Sequence, residues 1–99
     1  MPDGSLRVIA RVRARIPHVD QVRTILAAIV EPTRRESGCI SYHLLEQPSD
    51  LGEFATVEEW SSTEAELAHF STSHILSALQ QLSGLLAAEP DIRRYRVVK

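Results

Sequence analysis

The sequence predicts an α+β fold, with ferredoxin-like element order β-α-β-β-α-β and a four-stranded antiparallel sheet. Three observations carry this expectation. Four stretches, one near each end and two in the middle, alternate or concentrate apolar residues as strands do. The segments between them repeat apolar residues at helical spacing. A short turn-rich stretch, Gln47 to Gly52, joins the middle pair as a hairpin.

The first strand is Leu6 to Ala14, with Leu6, Val8, Ala10, Val12 and Ala14 on one face and Arg7, Ile9, Arg11 and Arg13 on the other. Pro17 ends it by withdrawing a ladder donor. From Val19 the spacing of Val22, Ile25, Leu26, Ile29 and Val30 predicts an amphipathic helix, and Asp20 suits the positive end of its dipole. Pro32 removes a hydrogen bond and crowds the Ala28 carbonyl, so a kinked helix reaching about Glu36 is expected, with Gly38 as its terminator. In the second strand Ile40, Tyr42 and Leu44 alternate with Cys39, Ser41 and His43. In the third, Phe54, Thr56, Glu58 and Trp60 alternate with Ala55, Val57 and Glu59. Ser62 reads as an N-cap, Leu67 and Phe70 as the apolar side of the helix it starts. Ser71-Thr72-Ser73 interrupts that helix, and Thr72 caps a second segment with a stripe of Ile75, Leu76, Leu79 and Leu82. Gly84 and Pro90 close the region before a last strand within Ile92 to Val98. Right-handed crossovers place the first and third strands centrally, the fourth beside the first and the second beside the third.

The 99 residues make one domain, 1–99 with its core in about 6–98, and one thin core with little left to enclose a pocket. A net charge of −2 argues against nucleic acid or an anionic membrane as partner. One cysteine, Cys39, excludes an internal disulfide and fits a reducing compartment. Met1 to Gly4 lacks the start of a signal peptide, and the longest apolar run, Ile25 to Val30, is far short of a membrane span. A cytoplasmic protein is the expectation. The charge is unevenly placed: +4 up to Arg35, −10 from Glu36 to Ile92, and +4 thereafter. The predicted topology makes the two basic ends neighbours, facing the acidic middle strand.

The strand Val8-Ile9-Ala10-Arg11-Val12, the segment Glu31-Pro32-Thr33-Arg34 followed by Gly38-Cys39-Ile40-Ser41-Tyr42, Glu58-Glu59-Trp60, the stretch His69 to His74, and the ending Glu89 to Tyr95 occur in a telling order. Over about Val8 to Val97 the chain resembles the antibiotic biosynthesis monooxygenase family, including its quinol monooxygenase-like members. The resemblance implies a homodimer in which two sheets pack face to face as a dimeric α+β barrel. It also implies oxidation of a quinol-like or polyphenolic substrate by O2 without flavin, metal or other cofactor. The chain departs from the family pattern at Ile16-Pro17-His18, where Pro-Gly is common, and at Ser73, where proline precedes the second histidine. It contains no asparagine, the residue on which polyketide-type and haem-degrading relatives rely, so those chemistries are disfavoured.

His74 and His69 are the candidate catalytic residues, because a histidine can take a proton from a phenol near neutral pH. On one unbroken helix they would point roughly 140° apart; the break at Ser71-Thr72-Ser73 lets them converge. The resemblance casts His74 as base and His69 as its assistant, and plain packing of the helix junction is the competing role. Trp60 is a candidate stacking wall or a core tryptophan. Tyr42 and Phe70 are candidate substrate contacts or core. Glu58 could orient a histidine or accept a substrate hydroxyl, with pairing to a first-strand arginine as the more ordinary role. Arg7, Arg11 and Arg13 are expected to pair with the acidic middle segment, and Cys39 to be a structural thiol. No metal site is read from the spacing of His18, His43, His69 and His74. The alternatives to a monooxygenase are a non-catalytic barrel binding a small hydrophobic metabolite, an isomerase on the same scaffold, and haem binding through a histidine.

Overall fold

Alternation along the first strand sets the whole architecture. In the computed structural model, which describes residues 5–99, strand β1 (Leu6–Arg13) buries Val8, Ala10 and Val12 and exposes Ile9, Arg11 and Arg13. Met1 to Gly4, read above for a leader, lie outside the described residues. A single turn of 3-10 helix (Ile16–His18) leads into α1 (Val19–Ala28) and α2 (Val30–Arg34); then come β2 (Cys39–Glu46), β3 (Glu53–Trp60), α3 (Thr63–His69), α4 (Ser73–Leu82) and β4 (Asp91–Tyr95). The sheet order is β2-β3-β1-β4, antiparallel throughout, as the crossover rule requires. One face of this sheet packs with α1 and α4 around Val8, Val22, Leu26, Phe54, Trp60 and Ile75. No helix among the described residues is long and apolar enough to cross a membrane.

The charge pattern resolves into cross-strand pairs. Register places Arg7 opposite Glu59 and Arg13 opposite Glu53. Arg7 meets Glu59 at 3.3 Å, Arg11 meets Glu53 at 2.8 Å, and Arg13 meets Asp50 at 2.6 Å. Glu58 does not join them, contrary to the ordinary role expected for it. It sits opposite Val8 on the helix-covered face, where no arginine of β1 can reach.

Several local expectations are corrected. The long helix breaks at Ile29, not at Pro32, because the proline has no N–H for the Ala28 carbonyl one turn earlier. It ends at Arg34 instead of Glu36, and Thr33 to Glu36 closes as a turn. In β2 a bulge falls between Cys39 and Ser41: Cys39 opposes Trp60 and Ser41 opposes Glu59, so Ile40 is the extra residue and is half exposed. Cys39, not Ile40, therefore packs on the core.

In α3 the inward face is polar. Glu66 and His69 are buried while Leu67 is exposed. Glu66 can turn inward because Arg94 of β4 grips both its oxygens, at 2.7 and 3.0 Å. In α4 the buried stripe is Ile75, Ala78 and Leu82, with Leu76 and Leu79 rotated to its exposed flank. Thr72 occupies the cap position of α4 without capping it; its hydroxyl donates to the His69 carbonyl instead, at 2.7 Å. Ser62 does cap α3, accepting from the Ala65 amide at 3.1 Å. The last strand stops at Tyr95, leaving Val97 and Val98 beyond the ladder.

Candidate active site

Three elements converge at one end of the core. The first is the turn between α2 and β2. Its backbone is held on both sides, the Glu36 amide donating to Thr33 O at 3.0 Å and the Cys39 amide to Glu36 O at 3.1 Å. Gly38 follows with φ +88°, a conformation that favours glycine. A Cβ there would lie 2.5 Å from the Ala65 Cβ and 2.8 Å from the Ser61 Oγ. The missing side chain thus lets the turn press directly against the start of α3, and the Ser61 amide donates to Gly38 O at 2.8 Å. This contact brings Glu36 over the helices.

The second and third elements are the end of α3 and the start of α4. His69 is the last residue of α3, His74 the second of α4, and the break between them turns both rings toward Glu36. His69 Nδ1 lies 2.6 Å, and His74 Nε2 2.7 Å, from the same oxygen, Glu36 Oε2. A carboxylate only accepts, so both ring nitrogens donate. His69 Nδ1 then carries hydrogen, and its Nε2 is left as the acceptor. Among the described residues no other group hydrogen-bonds the His69 ring.

The His69 ring is surrounded by aromatic neighbours. Trp60 lies 5.0 Å away between ring centroids, Phe70 5.3 Å and Tyr42 6.0 Å. Beside it is a cavity of about 90 Å³ whose wall includes Tyr42, Glu58, His69, Phe70, Ile75 and Leu79. Trp60 is fully buried and stands behind this wall, donating Nε1–H to Glu58 at 2.8 Å; the Thr56 hydroxyl donates to the other Glu58 oxygen at 2.6 Å. His74 and Glu36 also lie outside the lining. Burial, with Glu58 nearby, pushes the Tyr42 phenol upward, so it is a hydrogen donor and not a phenolate.

The cavity is smaller than the ~150 Å³ that admits a benzene molecule. Leu79, Leu82 and Pro90 separate it from a shallow outer depression of about 480 Å³.

Cys39 is a half-buried free thiol. Burial, and then Glu36 and Glu58, push its thiol from 9.0 up to about 11. At pH 8 iodoacetamide should alkylate the native protein about 100-fold more slowly than the urea-unfolded chain, as the thiolate fraction dictates. Mass spectrometry of timed samples measures this; equal rates would contradict the shielding.

Of the residues singled out in the sequence, His69, Tyr42, Phe70 and Glu58 meet at one cavity, with Trp60 and His74 as their immediate support. Glu36 was missed. It reads as a helix end, and nothing in the spacing ties it to histidines 33 and 38 residues away. The available signal was an acid just ahead of a glycine that must approach another helix.

The fold and this arrangement define a class: small α+β proteins holding a carboxylate-oriented histidine beside an apolar cavity, between sheet and helices. The sequence profile of the antibiotic biosynthesis monooxygenase family matches residues 5–81, and the chain belongs to that family. It is 38% identical over 79 residues to "Putative monooxygenase Rv0793" of Mycobacterium tuberculosis, covering 80% of this chain and 77% of that one. The solved structure of Rv0793 superposes with a TM-score of 0.89 at 30% identity over 96% of both chains. PA3566 of Pseudomonas aeruginosa superposes with a TM-score of 0.92 at 27% identity, over 100% of this chain and 99% of the other. A Synechocystis protein, sll1783, is 25% identical over 97 residues; the chain spans 66% of its length.

Proposed function

We propose that the chain is a cofactor-independent monooxygenase for a quinol-like or polyphenolic substrate, with His69 as the general base. The observation that carries this reading is the commitment of His69 Nδ1 to Glu36, which leaves Nε2 free to accept a proton beside a mainly aliphatic cavity to which Tyr42 and Phe70 contribute aromatic rings. This reverses the roles implied by family resemblance, since His74 reaches the cavity only through Glu36. His69 takes the phenolic proton, and the electron-rich phenolate passes one electron to O2. Recombination of the two radicals forms a carbon–oxygen bond at the ring. The peroxide takes back the proton from His69. Loss of the ring C–H proton then breaks the O–O bond, the outer oxygen leaving as hydroxide that joins that proton as water and the inner oxygen staying as the carbonyl. Phenol plus O2 gives quinone plus water, and a hydroquinone gives a hydroxyquinone. Tyr42 and Glu58 would orient the substrate hydroxyls, and Phe70 would contact the ring.

The same reading makes the chain a homodimer. The sheet face not covered by helices exposes Ile9, Leu45 and Val57 among its ion pairs, and a second sheet would cover them. Sedimentation should give twice the chain mass.

The test is oxygen uptake by chelator-treated protein across a panel of hydroquinones under ¹⁸O2. One labelled atom should enter the quinone for each O2 consumed, with His69→Ala abolishing turnover and His74→Ala reducing it. Absence of substrate-dependent uptake across the panel would reject the reading. The smallness of the cavity is the observation that favours the alternative, a non-catalytic barrel or an isomerase, and ligand-induced protection without oxygen uptake would support it.

A further inference from the structure

The hydrogen-bonded trio of Glu36, His69 and His74 has a second capability that proton transfer does not use. Glu36 Oε2, His69 Nδ1 and His74 Nε2 all lie within 4.8 Å of one another. Ligand atoms on a tetrahedral zinc ion, at ~2.0–2.2 Å from the metal, are about 3.3 Å apart. The two contacts to Glu36, at 2.6 and 2.7 Å, would need to open by roughly 0.6 Å on that geometry. The parts placed to yield are at hand: Glu36 sits on a turn, and His74 is partly exposed at the start of its helix.

Charge points the same way. Other carboxylates that are buried or partly buried have arginine partners: Glu66 has Arg94, Glu53 has Arg11 and Arg13, and Glu46 has Arg23. Among the described residues no lysine or arginine forms an ion pair with Glu36 or Glu58. Glu36 thus has only the two imidazoles as partners, whereas Glu58 feels the Arg94 guanidinium. Buried charge of this kind is normally paired or bound to a metal. Two imidazoles and one carboxylate suit a borderline first-row divalent ion; calcium and magnesium would require oxygen donors.

We propose that Glu36, His69 and His74 form a binding site for a divalent transition-metal ion of the zinc type, with three protein ligands and the remaining position open to water. Occupancy would also change the chemistry of His69. A neutral imidazole bound through Nδ1 carries its hydrogen on Nε2, so the nitrogen available as a base becomes a donor. Metal binding and the base reaction are therefore mutually exclusive. The site itself stands independently of the monooxygenase reading; only this consequence rests on it.

The experiment is calorimetric titration of the metal-free full chain with Zn2+, repeated with Co2+ to record visible ligand-field absorption. Wild type should bind one ion per chain and give a tetrahedral Co2+ spectrum. Glu36→Gln and His74→Ala, checked for native circular dichroism, should each weaken binding at least about 100-fold, beyond the ~10–100-fold that loss of an outer partner costs. His43→Ala, on the outer sheet face, should bind as wild type. Failure to bind, or binding unchanged in Glu36→Gln and His74→Ala, would overturn the site. Oxygen uptake measured with and without Zn2+ then tests the consequence separately: binding without inhibition keeps the site and rejects His69 Nε2 as the base.

Discussion

Glu36→Gln should leave the fold intact and lower quinol-dependent oxygen uptake by about 10²–10⁴-fold, the range assigned to general-base catalysis and to a misoriented histidine. Volume and shape barely change, so the turn at 35–38 should keep its backbone hydrogen bonds. What changes is the direction of donation. The carboxylate obliges His69 Nδ1 to carry hydrogen. An amide can donate from its own NH2 group, which stabilises the tautomer with hydrogen on Nε2, where no proton can then be accepted. The amide also removes the negative charge that would stabilise the imidazolium required by the proposed base reaction. The effect should fall on kcat, with KM little altered, because Glu36 does not line the cavity. Steady-state kinetics beside a native circular dichroism spectrum measure this. Activity within threefold of wild type would remove Glu36 from the machinery.

Arg94→Ala should have the largest effect on stability. Glu66 is buried and its two oxygens are both held by the Arg94 guanidinium. Removing one member of a buried pair typically costs ~3–5 kcal/mol, because a desolvated charge is left behind. The Arg94 side chain is 41% exposed, so its loss admits some water to Glu66 and the cost should be near the lower limit, about 3 kcal/mol. For a domain of this size that corresponds to a fall in Tm on the order of 15 °C. Urea melts should show a lower midpoint at unchanged slope. The double variant Glu66→Leu/Arg94→Leu should recover most of the loss, since an apolar pair has no charge to strand. A loss below 1 kcal/mol for Arg94→Ala would mean that Glu66 finds water or another partner.

Where a residue's environment is set by its own strand or helix, the sequence disclosed it. Val8, Ala10 and Val12 against Arg11 and Arg13 fix the phase of β1, and with the crossover rule they yield the sheet order. Val22, Ile25 and Leu26 likewise define the buried face of α1. Features decided across the molecule stayed hidden. The bulge at Ile40 exists only relative to the residue count on β3. Glu66 looks like a surface acid until Arg94, 28 residues away, supplies its counter-charge. A similar one-residue ambiguity led to the misplacement of Glu58, since it is Glu59 that faces Arg7. At the site, residue type alone marked the two histidines and the aromatic residues. Their common partner was unreadable because a carboxylate's role depends on which rings the tertiary fold brings to it.

The wide separation of that partner along the chain has a consequence for the order in which properties are lost. A carboxylate 33 and 38 residues from its two imidazoles cannot meet them in any short fragment. The meeting depends on a glycine-thin seam between the 35–38 turn and α3. Parting of that seam would disperse the trio while the four-stranded sheet still stood. Turnover should consequently fade at a temperature below the main melting transition, so that chemistry serves as the more sensitive thermometer of this molecule.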